Sequence, residues 1–378
     1  MEDFSKHIGI IGAGISGLAL GCFLKKANIP VIIFEKSKDV SDYGAGISIS
    51  PNGLRVLDAL GVLKKIKKLS GNPKEAYFFS NDFKITSFPI RVITTSRQTL
   101  YRILLKNYLH HGGDILFDHE LSDINVNTLE LKFSNENSFN VNHIVACDGI
   151  KSICRKYHKT AVSAPSYSGY SVWRAIVNKK QENIETHLGP NYHIVTYPID
   201  TQRTSFVAAF KTNKMYKESW RSLGSRDEML DDLPNISKKV YSILNSSADL
   251  YKWGIYTRKN IKSLYTNNIT FLGDAAHPIV PFMGQGGCLA LEDAFVFAEL
   301  TSKFKNDFSK IQYSYEKIRL KRIKKIKARS EIQGYLNHIK NPFFVLCRNL
   351  IMKFSPIIPR IVKYIWDYDS SVEIKNIK

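Results

Sequence analysis

The chain has 378 residues, 44% of them hydrophobic, and a formal charge of +20 from 54 Lys and Arg against 34 Asp and Glu. That length exceeds one ordinary core and calls for two domains or one elaborated domain, while the composition excludes a disordered chain. The basic excess runs along the whole Lys-, Asn- and Ile-rich sequence without a basic tail, so it reads as a general compositional bias rather than a nucleic-acid surface. Cys22, Cys147, Cys154, Cys288 and Cys347 are odd in number and form no CxxC pair, which predicts reduced thiols, a cytoplasmic setting and no structural zinc. The five Cys and ten His show no metal-ligand spacing, so no metal is expected. No signal peptide is visible, and no apolar run reaches the length of a spanning helix.

The first element is a continuous apolar run, "HIGIIGAG", expected as a strand covered on both faces. It leads into Gly12-x-Gly14-x-x-Gly17, then the helix-like "ISGLALGCFLKKAN", then a second buried strand, "PVIIFEKS", that carries Glu35. Strand, glycines, helix, strand and an acid about 20 residues on make the βαβ dinucleotide fingerprint in its required context. Gly12 makes the tight turn, Gly14 admits the pyrophosphate to the backbone, and Gly17 lets helix and strand pack closely. The helix N-terminus supplies donors to the phosphates, and Glu35 can accept from ribose hydroxyls. Gly44 and Gly46 predict a second flexible loop ahead of a helix from about Asn52.

In "TSRQTLYRILLKN" Ser96 is an N-cap candidate and Arg97 lies in the first turn. A cation there opposes the helix dipole, so Arg97 either faces an anion or is simply solvated. "NHIVACDGIKSICRKY" is a strand ending at Asp148-Gly149. Residues 165–260 change to alternating β-type pieces, read as an antiparallel sheet. Near the C-terminal end of the pattern, strand "ITFLG" runs into "GDAAHPIVPFMGQGG" and then a helix. In a parallel sheet both Asp-bearing turns lie at the carboxyl edge, where ligands bind. The eight cations between Lys317 and Arg329 accompany a helical stripe of Leu320, Ile323, Ile326 and Ser330, and are read as a solvated face. The apolar segment from Asn341 to Trp366 is expected to pack on the core rather than lie at a membrane surface.

The fingerprint with Glu35, "SRQTLYRIL", "CDGIKSICR" and "GDAAHPIVPFMGQGGCLALEDA" together resemble the single-component FAD-dependent aromatic hydroxylases of the para-hydroxybenzoate hydroxylase fold. "GYSVWRAIV", "GPNYHIVTYPI" and "YIWDYD" resemble the salicylate, 6-hydroxynicotinate and urate hydroxylase subgroup. The resemblance spans residue 7 to about 370. It implies an α/β fold: a Rossmann-like FAD-binding domain (1–74, 91–164 and 261–330), an inserted, mainly antiparallel substrate domain (75–90 and 165–260), and a C-terminal helical segment (331–378).

It also implies roles. Gly12, Gly14 and Gly17 would hold the FAD pyrophosphate and Glu35 the adenosine ribose. Arg97 would lie near ribose and pyrophosphate, Asp148 would help hold FAD and take part in nicotinamide use, and Asp274 would bind the ribityl chain. The backbone of Gly284, Gln285, Gly286 and Gly287 would sit against the isoalloxazine ring. No second GxGxxG exists, which fits a transient NADH or NADPH. His193 and Tyr197, four apart on one strand, share a face, and the resemblance puts them in the pocket as a pair that positions or relays a phenolic proton. Arg174 pairs with either a substrate carboxylate or a structural acid. Tyr170, Phe210, Pro281 and Phe282 are candidate pocket walls, and His277 belongs to the flavin loop rather than acting as a base.

The implied activity is NAD(P)H- and O2-dependent hydroxylation of an aromatic or heteroaromatic small molecule through a flavin C4a-hydroperoxide. The expected partners are the substrate and O2, without nucleic acid or stable membrane insertion, in a monomer or homodimer. A flavoprotein epoxidase or quinone-precursor hydroxylase at a membrane surface is the alternative, and a non-enzymatic dinucleotide- or nucleic-acid-binding module a further one. The single Trp of "WRAIV" speaks against a flavin-dependent halogenase.

Overall fold

The computed structural model describes residues 3–39, 45–158, 164–216, 222–244, 249–305 and 307–377; Gly44 lies outside them. Ile8–Ile11 is the centre of a six-stranded sheet, flanked in parallel by Val31–Phe34 and His143–Ala146. Ile269–Phe271 continues the parallel order beyond His143–Ala146, and Ile115–Leu116 beyond Val31–Phe34. These four-residue strands are buried along their length, as apolar strands between helix layers must be. Helix Ile15–Lys26 packs against Gly286–Phe304 and Arg97–His110. Ser96 caps the last of these, its Oγ accepting from Thr99 N at 3.0 Å.

The second sheet has eight strands, and strands Glu75–Ser80 and Phe83–Pro89 join it through parallel pairing of Glu75–Ser80 with Ile184–Gly189. Its centre is antiparallel: Ser166–Val177 pairs with Thr204–Lys211, which pairs with Tyr192–Pro198. The period of two separates its faces. On one face Trp173, Ile194, Ala208 and Phe210 pack beneath helices Arg226–Asp232 and Lys238–Leu244. On the other, Val172, Ala209 and Trp253 meet Val280, Tyr170 and Phe282.

Phe210, expected in the pocket, therefore belongs to the helix-covered face: it pairs with Ser171, one residue out of phase with Tyr170 and Val172. Gly46, expected in a flexible loop, starts strand Gly46–Ile49, paired with Ile93–Ser96, and the helix that follows is Pro51–Ala59. A Cβ on Gly46 would lie 2.5 Å from Ser205 Cβ and 2.7 Å from Tyr197 Cε2, so this glycine is where that two-stranded sheet touches the eight-stranded one.

Three C-terminal expectations change. Helix Phe308–Asn337 runs unbroken through the expected boundary at 330/331. Of its cations, Arg319 and Arg322 are buried, because they neutralise acids of the neighbouring helix; Lys317, Lys321, Lys324 and Lys325 are exposed. Helix Pro342–Phe354 buries only Arg348 and leaves its apolar side open. No helix among the described residues is long and apolar enough to cross a membrane.

Candidate active site

The carboxyl ends of three adjacent parallel strands bring Gly12, Asp148 and the Gly273-Asp274 turn side by side. Gly12 has φ +100°, and a Cβ there would lie 2.6 Å from the Cys147 carbonyl oxygen. A Cβ on Gly17 would lie 2.0 Å from the Gly12 carbonyl oxygen, so strand turn and helix are in backbone contact. Gly14 differs: its backbone is extended, and a Cβ would meet nothing within 4 Å. Gly286 likewise faces open space. Both stand at the start of helices, Ile15–Lys26 and Gly286–Phe304, whose N-caps carry no side-chain hydrogen bond. Two uncapped N-termini beside side-chain-free space suit an anionic, extended dinucleotide.

Glu35 sits at the end of its strand, Oε2 accepting from Ala13 N at 2.7 Å and Oε1 from Ser37 N at 2.9 Å. A carboxylate oxygen accepts more than one bond, so ribose hydroxyls remain within its capacity. Asp148 Oδ2 accepts from Cys154 N at 3.3 Å, while Oδ1 is buried without a partner. Burial pushes the Asp148 pKa up; a ligand donor at Oδ1 would satisfy it. Arg97 is half-buried in the first turn of its helix, and its N–H donates to Ala45 O at 2.9 Å. Asp274 is exposed. These positions fit FAD.

The other face of the eight-stranded sheet packs against Val280 and Phe282, from the segment that follows the Gly273-Asp274 turn. Phe282, in the short turn Pro281–Met283, packs edge-on to Tyr170 at 5.0 Å and to His193 at 5.3 Å between ring centroids. His338, not foreseen from sequence, completes the cluster 4.8 Å from both Tyr170 and His193. Its Nε2 lies 3.2 Å from His193 Nδ1 and 3.2 Å from Ala209 O. Tyr197 is near Ser205 and Arg174 instead, and Arg174 Nη1 donates to Gly46 O at 3.4 Å, with its guanidinium 5.4 Å from the Trp253 ring.

His193 and Tyr197 thus share a face but not a contact, standing roughly 13 Å apart at the usual strand rise. They serve two ends of one surface. The segment after Phe282 closes that surface: Gly284 is left-handed at φ +63°, and a Cβ on Gly287 would lie 2.6 Å from Ile47 Cδ1.

A buried polar network supports the loop. His277 Nε2 lies 2.5 Å from Asp293 Oδ2, which also accepts from Gly273 N at 3.0 Å. Arg319 donates to Asp293 Oδ1 at 2.7 Å and to Glu292 Oε2 at 2.6 Å, and Arg322 to Glu292 Oε1 at 3.2 Å. Asn52 bridges Glu292 Oε1 and Gln285 Oε1, and Gln285 Nε2 donates to Ser50 Oγ. His277 is therefore part of the frame, and the side chain of Gln285 faces inward. The network's signal in the sequence is the Glu292-Asp293 pair inside the apolar stretch 286–298 of its helix, which demands buried cations. Among the described residues no cluster has the ligands to hold a metal.

Burial holds His193 well below the usual histidine range, helped by His338, and it lowers His338 as well. His143, buried away from the site and stacked on Phe308, is lowered to about 3. A histidine kept neutral in the fold contributes stability that is fully present above its unfolded pKa of about 6.5 and is lost as pH falls towards the folded value. His143 alone should cost about 2 kcal/mol between pH 6.5 and pH 5. Urea titrations at pH 7 and pH 5 check this: the loss should shrink by about that amount in His143→Asn.

The sequence profile of a family described as "FAD binding domain" matches residues 6–330. The 3-amino-4-hydroxybenzoate 2-monooxygenase of Streptomyces platensis is 26% identical, covering 96% of this chain and 95% of its own. The 3-hydroxybenzoate 6-hydroxylase of Klebsiella oxytoca is 25% identical over 87% and 88% of the two chains. Among solved structures, Klebsiella pneumoniae HpxO complexed with FAD and uric acid superimposes with a TM-score of 0.83 at 20% identity, covering 98% of each chain.

Proposed function

The chain belongs to the FAD binding domain family and is an FAD-dependent monooxygenase of the aromatic hydroxylase kind; from that premise we propose that it hydroxylates a small aromatic or heteroaromatic ring bearing an anionic group. One observation carries the substrate class: a single sheet face joins an aromatic wall (Tyr170, Phe282) to the Arg174 cation, beside the uncapped helix at Gly286.

Bound there, FAD would supply the redox chemistry: two electrons from NADH or NADPH, one oxygen atom of O2 passing to an electron-rich ring and the other leaving as water. The protein would bind, orient and keep dry. Gly12, Gly14 and Gly17 would present the helix N-terminus to the pyrophosphate. Glu35 and Arg97 would hold the adenosine side, Asp148 and Asp274 the central chain, and the Gly284–Gly287 backbone the ring system. Arg174 would take the substrate's carboxylate or phenolate, with the Tyr197 hydroxyl orienting it. His193, neutral at pH 7, would accept a hydrogen bond from a ring hydroxyl, which orients the ring and polarises the O–H bond towards the electron-rich form. Pro281 and Phe282 would exclude water. This reading divides the chain into a discontinuous FAD-binding unit and an inserted substrate unit that meet at Gly46.

A screen of aromatic acids and phenols for stimulated NAD(P)H oxidation, with product analysis, tests it. His193→Phe and Tyr197→Phe should each lower product formation per NAD(P)H by about tenfold or more while FAD stays bound. Unchanged product yield in both variants would refute their roles.

A further inference from the structure

Helix Pro342–Phe354 is built inside out. Phe343, Leu346, Leu350 and Phe354 recur at helical spacing, with Phe344 and Ile351 beside them, and all six are exposed; Phe354 is 75% exposed. The buried residue of the helix is a cation, Arg348, whose Nη1 donates to Leu336 O at 3.2 Å and so fastens the helix to the end of Phe308–Asn337. A helix of a globular protein turns its apolar arc to the core; this one turns it to solvent. Contiguous exposed apolar surface of this kind marks an interaction site.

The charge around the arc says what covers it. From Glu331 to Asp367 the chain contains no acid between those two residues. Lys340, Lys353, Arg360 and Lys363 are all exposed. An apolar arc rimmed by cations is the pattern of a helix lying in the interface of an anionic bilayer. A second copy of this chain fits worse, because a two-fold interface would set this acid-free cationic rim against itself. The +20 charge of the chain adds long-range attraction to such a surface.

We propose that helix Pro342–Phe354, with the basic rim around it, docks this protein peripherally on anionic phospholipid membranes. The helix has 13 residues, too short to span, so it lies along the surface. The docking face adjoins the pocket wall, since Gly334 of the preceding helix abuts Phe282 and His338 ends that helix. The proposal does not depend on which ring the enzyme hydroxylates.

The test is co-sedimentation of the full-length holoenzyme with vesicles of phosphatidylcholine alone or with about a third phosphatidylglycerol. The expected result is partitioning onto the anionic vesicles about tenfold or more above the neutral ones, weakened by salt. Leu350→Asp/Phe354→Asp, at exposed positions, should lower it by about tenfold or more, with flavin content and thermal midpoint unchanged. Lys353→Glu/Lys363→Glu should lower it too. Absence of binding to anionic vesicles, or equal binding by the double aspartate variant, overturns the proposal. So does a dimer that the same variant dissolves, which would assign the arc to a second copy.

Discussion

Replacing Arg319 by Met destabilises the folded chain by about 3–5 kcal/mol, the cost of stranding a buried charge. Arg319 is wholly buried and holds Asp293 and Glu292 at 2.7 and 2.6 Å. Burial raises the Asp293 pKa, but His277 and Arg319 overcome it and hold the carboxyl below the usual range. Without Arg319 the two acids share His277 and Arg322, and Arg322 already donates to the Ile365 carbonyl. Urea unfolding of the protein measures the effect, and exposed Lys324→Met should move stability by no more than about 0.5 kcal/mol. Adding Asp293→Asn to the Met variant should recover most of the loss, because Glu292 stays paired with Arg322 and the penalty comes from unpaired charge and not from the missing side chain. If Arg319→Met unfolds like the parent, the network is not an energetic support of the Gly273–Gly287 segment.

Gly14→Val and Gly17→Val, three residues apart, should fail in opposite ways. At Gly17 the first side-chain atom would stand 2.0 Å from the Gly12 carbonyl oxygen. The helix must move off the strand, at a cost of about 3 kcal/mol or more, and FAD binding falls with the fold. At Gly14 the backbone is in an ordinary extended conformation and the space beyond is open. Val there should change the stability of the flavin-free protein by about 1 kcal/mol at most, an N-cap effect. FAD affinity should nevertheless fall by about 100-fold or more, because the side chain fills the space through which the pyrophosphate reaches the helix N-terminus. Flavin fluorescence titration and thermal unfolding of the flavin-free protein separate the two outcomes. A Gly14→Val protein that binds FAD as the parent does would remove the dinucleotide from this turn.

What the sequence by itself determined is the carboxyl edge of the parallel sheet, where the proposed cofactor residues stand. Gly12, Gly14, Gly17, Glu35, Asp148 and Asp274 are legible because each is tied to a local device, a strand end or a glycine turn, whose geometry follows from a few neighbouring residues. The helical stripe of Ile323, Ile326 and Ser330 was legible for the same reason, being periodic.

Only the tertiary structure decided the rest. Strand phase moved Phe210 to the helix-covered face, and which face of a sheet looks at a ligand depends on what other segments pack there. His193 and Tyr197 share a face by period, but their partners, His338 and Arg174, come from distant elements. The basic run reads as uniformly solvated until Glu292 and Asp293 arrive from another helix to bury two of its arginines. The same holds for Pro342–Phe354: its pattern announces an amphipathic helix, but the direction of its apolar arc is a property of the surface beneath it, where Arg348 occupies the inward side. Short-range geometry is written in adjacent residues; pairing across long loops and the choice of inside from outside are settled by packing.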